Sequence, residues 1–364
     1  LAGYVDSLSN RSHSRSNGHD LNVGFNYSDD TWMFNASLGV TPQKRTIDRK
    51  VGKLYADTTM RTIDYQPMIW LSWRKKKMRV SLNYNGRTRQ PSLSDLMPLT
   101  DNSDPLYITR GNPDLKQMFM HTMHVSFQHP SKGISANLGW QMEKNSVTQV
   151  VLYDVQTGGR ETYPININGN WNTYGSADWW KRFGHFSLKL STSGRHSNRV
   201  SMINEDRSQQ PEKSTTRDTG LNCEMAASYQ PTWGGFDFST SWDYQYSLNS
   251  LNGNNTYTRY YNFRFDGYVD FPFGLQLRTD AGYILRSGTN IQKGEDDEIV
   301  WNARATWRFL KQRKAELSAC WADILGKRKS YARMATSDGF YESRTQEIKG
   351  YFIVTFKYNF RLMM

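Results

Sequence analysis

The 364 residues carry 46 Lys and Arg against 34 Asp and Glu, a formal net charge of +12, yet only 37% are hydrophobic and the mean hydropathy is −0.74. No run approaches the ~18 apolar residues of a membrane helix, which excludes a helical membrane protein, and two cysteines exclude a disulfide framework. Aromatics reach 14%, with 21 Tyr, 17 Phe and 12 Trp, which suits β-strands and interfacial girdles.

In chain order the sequence reads as a ladder of hairpins. A first strand over about 19–28 meets Thr31–Val40 across Ser28-Asp29-Asp30, with Trp32, Phe34, Ala36, Leu38 and Val40 on one face. Thr62–Trp73 and Met78–Arg87 flank the basic turn Arg74-Lys75-Lys76-Lys77. Strand 118–128 turns at His129–Gly133 into Ile134–Glu143, where Ile134, Ala136, Leu138, Trp140 and Met142 face together. Further pairs follow: 168–180 with 185–195, 216–229 with 236–247, 258–270 with 275–286, and 299–309 with 315–322. In the last strand Phe352, Val354, Phe356, Tyr358 and Phe360 share one face, and Tyr351, Ile353, Thr355, Lys357 and Asn359 the other. Eleven extended residues cover about 35 Å, enough to cross a hydrocarbon core when tilted by ~45°.

Short turns thus alternate with long polar connections at 41–61, 88–117, 146–166, 196–215, 248–257, 287–298 and 323–345. That asymmetry predicts an all-β, antiparallel transmembrane β-barrel with short periplasmic turns and long extracellular loops. About fifteen strands are counted, whereas bacterial barrels have even numbers, so residues 1–364 are expected to be the C-terminal part of one barrel domain. Leu1–Leu8 is expected to be the stub of a further strand.

The cationic excess does not imply nucleic acid, because no single basic face or motif collects it. Arg264, Arg278, Arg286, Arg304 and Arg308 fall out of phase with the apolar rows, hence towards the lumen, as do Asp243, Asp266, Asp270, Asp280 and Glu316. Placing such arginines towards lipid would cost ~2–4 kcal/mol each near the midplane. They are expected to form a cross-strand charge lattice, a plug contact or a path for an anionic ligand. Cys223 falls in phase with Leu221, Met225 and Tyr229 on an apolar face, whereas Cys320 falls out of phase with Leu317, Ala319 and Trp321, so the two should face opposite sides. His121 and His124, three apart in a strand, should also point apart, which argues against a metal site. Glu295-Asp296-Asp297-Glu298 lacks the spacing of a calcium loop. With no phosphate loop, nucleophile elbow or Cys/His cluster, neither catalysis nor a cofactor is expected.

The segment Asp104-Pro105-Leu106 through Gly111-Asn112-Pro113-Asp114-Leu115-Lys116 resembles a signature of TonB-dependent receptor barrels, above all those of the outer membrane protein beta-barrel group. The residues carrying it are Asp104, Pro105, Leu106, Gly111, Asn112, Pro113 and Leu115. Gly111 is expected to supply an unusual backbone angle where the chain is re-aimed downwards, and Pro113 to bias Asn112 towards extended geometry. Asp323-Ile324-Leu325-Gly326-Lys327 is similar to the family's penultimate loop, departing at Gly326, where Asn is common. Phe360 fits the family's terminal aromatic, and the tail Arg361-Leu362-Met363-Met364 departs from it.

The resemblance implies a twenty-two-stranded barrel with an N-terminal plug, placed in the outer membrane of a Gram-negative bacterium. It also implies as partners outer-membrane lipid, a nutrient ligand, a surface lipoprotein and the TonB complex, the last through an N-terminal region outside this sequence. The loops 88–117 and 146–166, with Trp171 and Tyr174 just beyond, are the candidate ligand contacts, and interfacial anchoring explains Trp171 equally well. A plugless porin or adhesin-like barrel, and a soluble secreted glycan-binding β-protein, are the alternatives.

Overall fold

The computed structural model describes residues 10–359, except 52–53, 98–99, 102–103, 155–156, 205–209, 252, 254, 290, 292–296 and 336–339. The expectations for Leu1–Leu8, Glu295, Asp296, Phe360 and the tail Arg361–Met364 lie outside the described residues.

The chain runs β1 (Asn10–Gly18), β2 (Leu21–Ser28), β3 (Trp32–Val51), β4 (Leu54–Lys75), β5 (Met78–Arg89), α1 (Leu93–Leu96), β6 (Thr100–Asp101), β7 (Tyr107–Arg110) and β8 (Met118–His129). It continues through β9 (Ile134–Lys144), β10 (Ser146–Tyr153), β11 (Arg160–Ile167), β12 (Trp171–Phe183), β13 (Phe186–Ile203), β14 (Glu212–Tyr229) and β15 (Gly234–Asn249). The last stretch holds β16 (Asn255–Asp270), β17 (Leu275–Gly288), β18 (Glu298–Phe309), β19 (Ala315–Ala322), β20 (Ser330–Ala335), β21 (Phe340–Thr345) and β22 (Tyr351–Tyr358).

The wall is an antiparallel meander. β1 and β2 lie end to end along β3, and the order then runs β3–β4–β5–β8–β9–β12–β13–β14–β15–β16–β17–β18–β19–β22. Among the described residues β2 pairs only with β3, and β22 only with β19; all eight residues of each are exposed. The short turns all fall at one end. At the first of them the Asp29 carboxylate accepts the Thr31 and Trp32 backbone N–H groups at 2.7 Å each.

Register gives the two faces. Phe127, Ala136, Ala177, Thr192, Cys223 and Trp242 form one continuous row across six strands. The adjacent row, on the opposite face, is Gln128, Ser135, Asp178, Ser191, Glu224 and Ser241. The apolar face is the exposed one: Phe238, Phe263, Phe265, Leu277, Trp301, Trp307 and Phe356 all lie open on it. Water would not leave so much apolar surface bare, whereas lipid solvates it. Aromatic clusters border this face. Near the short turns Phe186 stacks on Tyr229 at 4.4 Å and Tyr229 on Phe236 at 6.3 Å; near the long loops Trp171 meets His196 at 5.3 Å and Phe119 meets His121 at 4.7 Å. Arg259 is a cation on the outward phase. Its guanidinium lies over the rings of Tyr257 and Tyr244, 5.2 and 5.7 Å from their centroids.

The connections depart from expectation. Residues 41–61 read as a polar loop, but β3 and β4 stay paired through it, from Thr41↔Asp64 to Val51↔Leu54. The connection 146–166 is largely the hairpin β10–β11, and 323–345 contains the hairpin β20–β21. Outside lipid both faces of a strand meet water, so the apolar alternation that betrays a strand disappears while the backbone ladder continues. β3 has 20 residues. At ~3.3 Å per residue that is about 66 Å, well over twice the ~25 Å apolar band of such barrels.

Candidate functional site: the roofed outer mouth

Among the described residues the hydrophobic core lies in the loops, not in the wall. Leu96, Met97 and Leu115 are 0–3% exposed and pack against Met60 and Val147. Met60 stands in phase with Thr62, Asp64 and Gln66, opposite in phase to the outward Arg61, Ile63 and Tyr65, so this core rests on the inner face of β4. Other bonds to the inner face agree with that placement. Gln90 Nε2 donates to Thr62 Oγ1 at 3.0 Å, to Gln117 Oε1 at 3.1 Å and to Asp64, and Arg45 Nη1 donates to the Pro91 carbonyl at 3.4 Å. The connection 90–117 therefore folds inwards across the mouth.

Its sequence explains the fold. Ser92 caps the single turn α1, accepting the Asp95 N–H at 3.2 Å. The Asn112 N–H bonds back to the Asp95 carbonyl. Gly111, expected to supply an unusual backbone angle, is not among the positive-φ glycines. It is required instead by close approach: a Cβ there would overlap the Met97 carbonyl oxygen and fall 2.8 and 2.9 Å from the Met97 carbonyl carbon and nitrogen. Asp104 Oδ1 accepts the Leu106 N–H at 2.9 Å, and Pro105 and Leu106 turn the chain into β7.

The second loop is locked to the first. β7 pairs in parallel with β11, and β10 in parallel with β13, so the outer tier runs β6–β7–β11–β10–β13. Asn112 Nδ2 donates to the Pro164 carbonyl at 3.0 Å. Asn166 grips Lys116 twice, accepting its N–H at 2.7 Å and donating to its carbonyl at 2.9 Å, and donates to the Asn145 carbonyl at 2.9 Å. Arg110 pairs with Glu161 at 2.8 Å and lies 4.8 Å over the Tyr163 ring. Asn166→Ala removes three bonds at once and should loosen the seam by ~1–3 kcal/mol. Limited trypsinolysis of the folded protein should then show faster cleavage after Lys116, and unchanged cleavage there would contradict this role.

Close to the roof the inner wall of β9 and β12–β16 holds a concavity of about 510 Å³, within the range of ligand pockets. Inward residues line most of it: Gln141, Glu143, Asn172, Arg195, Arg199 and Asp218, with Gln245 and Ser247 across the sheet. Arg199 pairs with Asp218 at 2.7 Å. Glu143 accepts the Ser146 hydroxyl at 2.7 Å and the Gln141 amide at 3.4 Å. Asn170 ties the rim to both neighbours, donating to Ser146 Oγ at 3.0 Å and accepting the Val200 N–H at 2.8 Å. Two larger hollows are almost wholly apolar. Both open on the outward face, one beside Ala136, Ala177 and Cys223, the other beside Gly267, Ala303 and Ala319, where acyl chains would fill them.

The residues singled out from sequence are dispersed. Trp171 borders the concavity, but its register with Met142 turns its side chain outwards, onto His196, as an interfacial anchor. Tyr174 faces inwards, its ring covering Gly139 and lying 6.5 Å from that of His124. All five arginines lie on the inward phase along β16–β18, and none of them lines the concavity. Arg278 pairs with Asp266, Arg286 with Glu298 and Arg308 with Glu316, each at 2.9 Å. Arg304 stands opposite Arg278 and reaches only Cys320 Sγ at 3.9 Å; Arg264 makes no ion pair or hydrogen bond among the described residues. His121 and His124 point to opposite faces, and both cysteines are free. Asp323 is fully buried and accepts the Lys327 and Arg328 N–H groups at 3.1 and 3.2 Å, which shapes the penultimate loop. Sequence reading missed Gln141, Asn172, Arg195 and Gln245, because polar residues on an inward phase look alike until register brings strand ends together.

Comparison with known proteins agrees with the wall. A model of the outer membrane protein beta-barrel family matches residues 59–211, which span both roofing loops and the Gly111-Asn112-Pro113 turn. No curated protein matches. Among solved structures the chain is similar to a bacterial polysaccharide outer membrane secretin at 9% identity, over 98% of this chain and 100% of that one, with a TM-score of 0.27, a level at which two chains need not share a fold.

Proposed function

We propose that this outer-membrane barrel chain forms the wall and roofed mouth of a TonB-dependent receptor, which captures a scarce nutrient outside the cell and admits it when an N-terminal plug is pulled. The observation that carries the reading is the mouth itself. Two loops share one buried core on the inner face of β4 and stand near a pocket-sized polar concavity.

On this reading the ring holds more strands than the described wall, in which β2 pairs only with β3 and β22 only with β19 among the described residues, and a barrel of that size needs a plug to prevent leakage. The inner wall offers that plug a mosaic of carboxylates and arginines, with Asp237, Asp266 and Asp280 side by side. Partners on this reading are the nutrient, the TonB complex and a surface lipoprotein, in the outer membrane of a Gram-negative bacterium.

The uncompensated Arg264 and Arg304 favour one second reading, an anion-selective porin without a plug. Planar-bilayer recording on the full-length protein separates the two. The receptor should show no steady current until urea loosens its plug, and should be retained by an immobilised TonB periplasmic domain. Stable ohmic steps in the untreated protein would leave the porin reading standing.

A further inference from the structure

Outward-facing cations collect at one level of the wall. Along β16 the outward row climbs from Val269 through Phe265, Phe263 and Tyr261 to Arg259, ten residues on. Along β14 it climbs from Tyr229 to Arg217, and along β3 and β4 from Trp32 and Trp73 to Lys44 and Arg61, twelve residues in each case. In β9 the outward row begun at Ile134 ends on Lys144. Ten to twelve residues at ~3.3 Å each, tilted by ~45°, rise about 23–28 Å, the height of the ~25 Å apolar band. The five cations therefore stand at the outer edge of the hydrocarbon, where lipid headgroups begin. No carboxylate occupies the outward phase at that level in the described strands; Asp48 and Asp57 lie four residues further out.

All five side chains are exposed, and none has an ion pair or a hydrogen bond among the described residues. Two arrangements call for an anion. Lys44 stands directly opposite Arg61, a like-charge pair that is destabilising unless something negative lies across it. Arg259 is stacked on Tyr257 and Tyr244, which leaves the in-plane edge of its guanidinium free to take an oxyanion by two parallel bonds. Arg217 lies two strands away, ~16 Å off at the backbone, with the hydroxyls of Thr219 and Tyr246 in the row between them. The anions that reach this face from the membrane are headgroup phosphates. A phosphodiester brings one charge to a pair of cations, whereas a phosphate monoester brings nearly two at pH 7 and three acceptor oxygens. We propose that this collar binds lipid whose sugar headgroup carries phosphate monoesters, as the phosphorylated glycolipid of a Gram-negative outer leaflet does. One such lipid is held between Lys44 and Arg61, and a second between Arg259 and Arg217 with its sugar hydroxyls on Thr219 and Tyr246. The inference rests on the outer-membrane placement above, and on neither the plug nor the nutrient.

The test is native mass spectrometry of the full-length protein in detergent with three probes: bisphosphorylated lipid A, the same lipid stripped of phosphate, and phosphatidylglycerol. The bisphosphorylated lipid should bind at least ~10-fold more tightly than either of the others, at roughly a factor of five per cation engaged. The double variants Lys44→Gln/Arg61→Gln and Arg217→Gln/Arg259→Gln should each remove one bound lipid. Arg264→Gln/Arg304→Gln takes the same charge from the lumen and should leave the lipids bound. All three variants should keep the heat-dependent gel shift of a folded barrel, which separates lost binding from lost assembly. The proposal is overturned if the phosphate-free lipid or phosphatidylglycerol binds equally well, if the outward variants lose nothing, or if the lumen variant loses as much. Retention by TonB and closure in bilayers are read separately, so that failure would leave the receptor reading in place.

Discussion

Gly111→Val should give a barrel that still assembles but whose mouth no longer holds its shape. The added side chain would be driven into the Met97 backbone, which is fixed between α1 and the buried core and cannot swing aside as a flexible side chain would. Overpacking of this kind costs ~1–3 kcal/mol even in yielding cores. Against rigid backbone the cost falls at the top of that range, enough to open the local seam by about 100-fold. Limited trypsinolysis should show rapid cleavage after Arg110 and Lys116, and ligand capture should be lost, while the heat-dependent gel shift persists. Gly282→Ala is the control, since a Cβ at Gly282 meets nothing within 4 Å. Equal protease resistance in the two variants would remove Gly111 from the mouth's architecture.

Phe263→Arg and Asn262→Arg should differ sharply although the positions are adjacent. Phe263 lies on the outward row with Tyr261 and Phe265, whereas Asn262 shares the inward phase with Arg264 and stands opposite Ser241. A guanidinium facing lipid near the midplane costs ~2–4 kcal/mol, besides the loss of a packed ring; the same group in the lumen remains hydrated. Folded, heat-modifiable protein in the outer membrane should fall at least several-fold for Phe263→Arg and stay near the parental amount for Asn262→Arg. The reverse result would turn the wall inside out. The pair therefore tests the in-and-out assignment on which every lumen residue depends.

The wall was legible because its rule is local. Lipid on one side and water on the other impose a period of two, and seven hairpins from about residue 19 onwards carry it openly in rows such as Ile134, Ala136, Leu138, Trp140 and Met142. The rule fails where lipid ends. Residues 41–51 and 54–61 continue the ladder of the strands below them, yet nothing in Gln43-Lys44-Arg45-Thr46 marks a face. Gly111-Asn112-Pro113 could be singled out as a turn, but its reason, contact with Met97 across 14 positions of chain, is a tertiary fact. The same holds for Asn172 and Arg195. Each is an unremarkable inward residue, and only strand register makes them neighbours. Trp171, an aromatic beside a loop, is open from sequence to two readings, ligand platform or interfacial anchor, and its register turns it to the membrane side.

The meander has a consequence for how the wall is built. Every wall strand from β3 to β19 pairs with the one before and the one after it, so β-structure here can grow by zipping rather than by search. Each new hairpin closes a turn of only a few residues, and the long outer connections add little, because loop-closure entropy rises only with the logarithm of length. A ladder of that kind has low contact order despite its many strands, which favours fast formation of each step. The distant closures are few and come late: the parallel contacts β7–β11 and β10–β13, whose partners lie more than fifty positions apart in the chain. The wall can therefore be complete before its roof, and a chain stalled at that stage would already be embedded but open to whatever lies outside the cell.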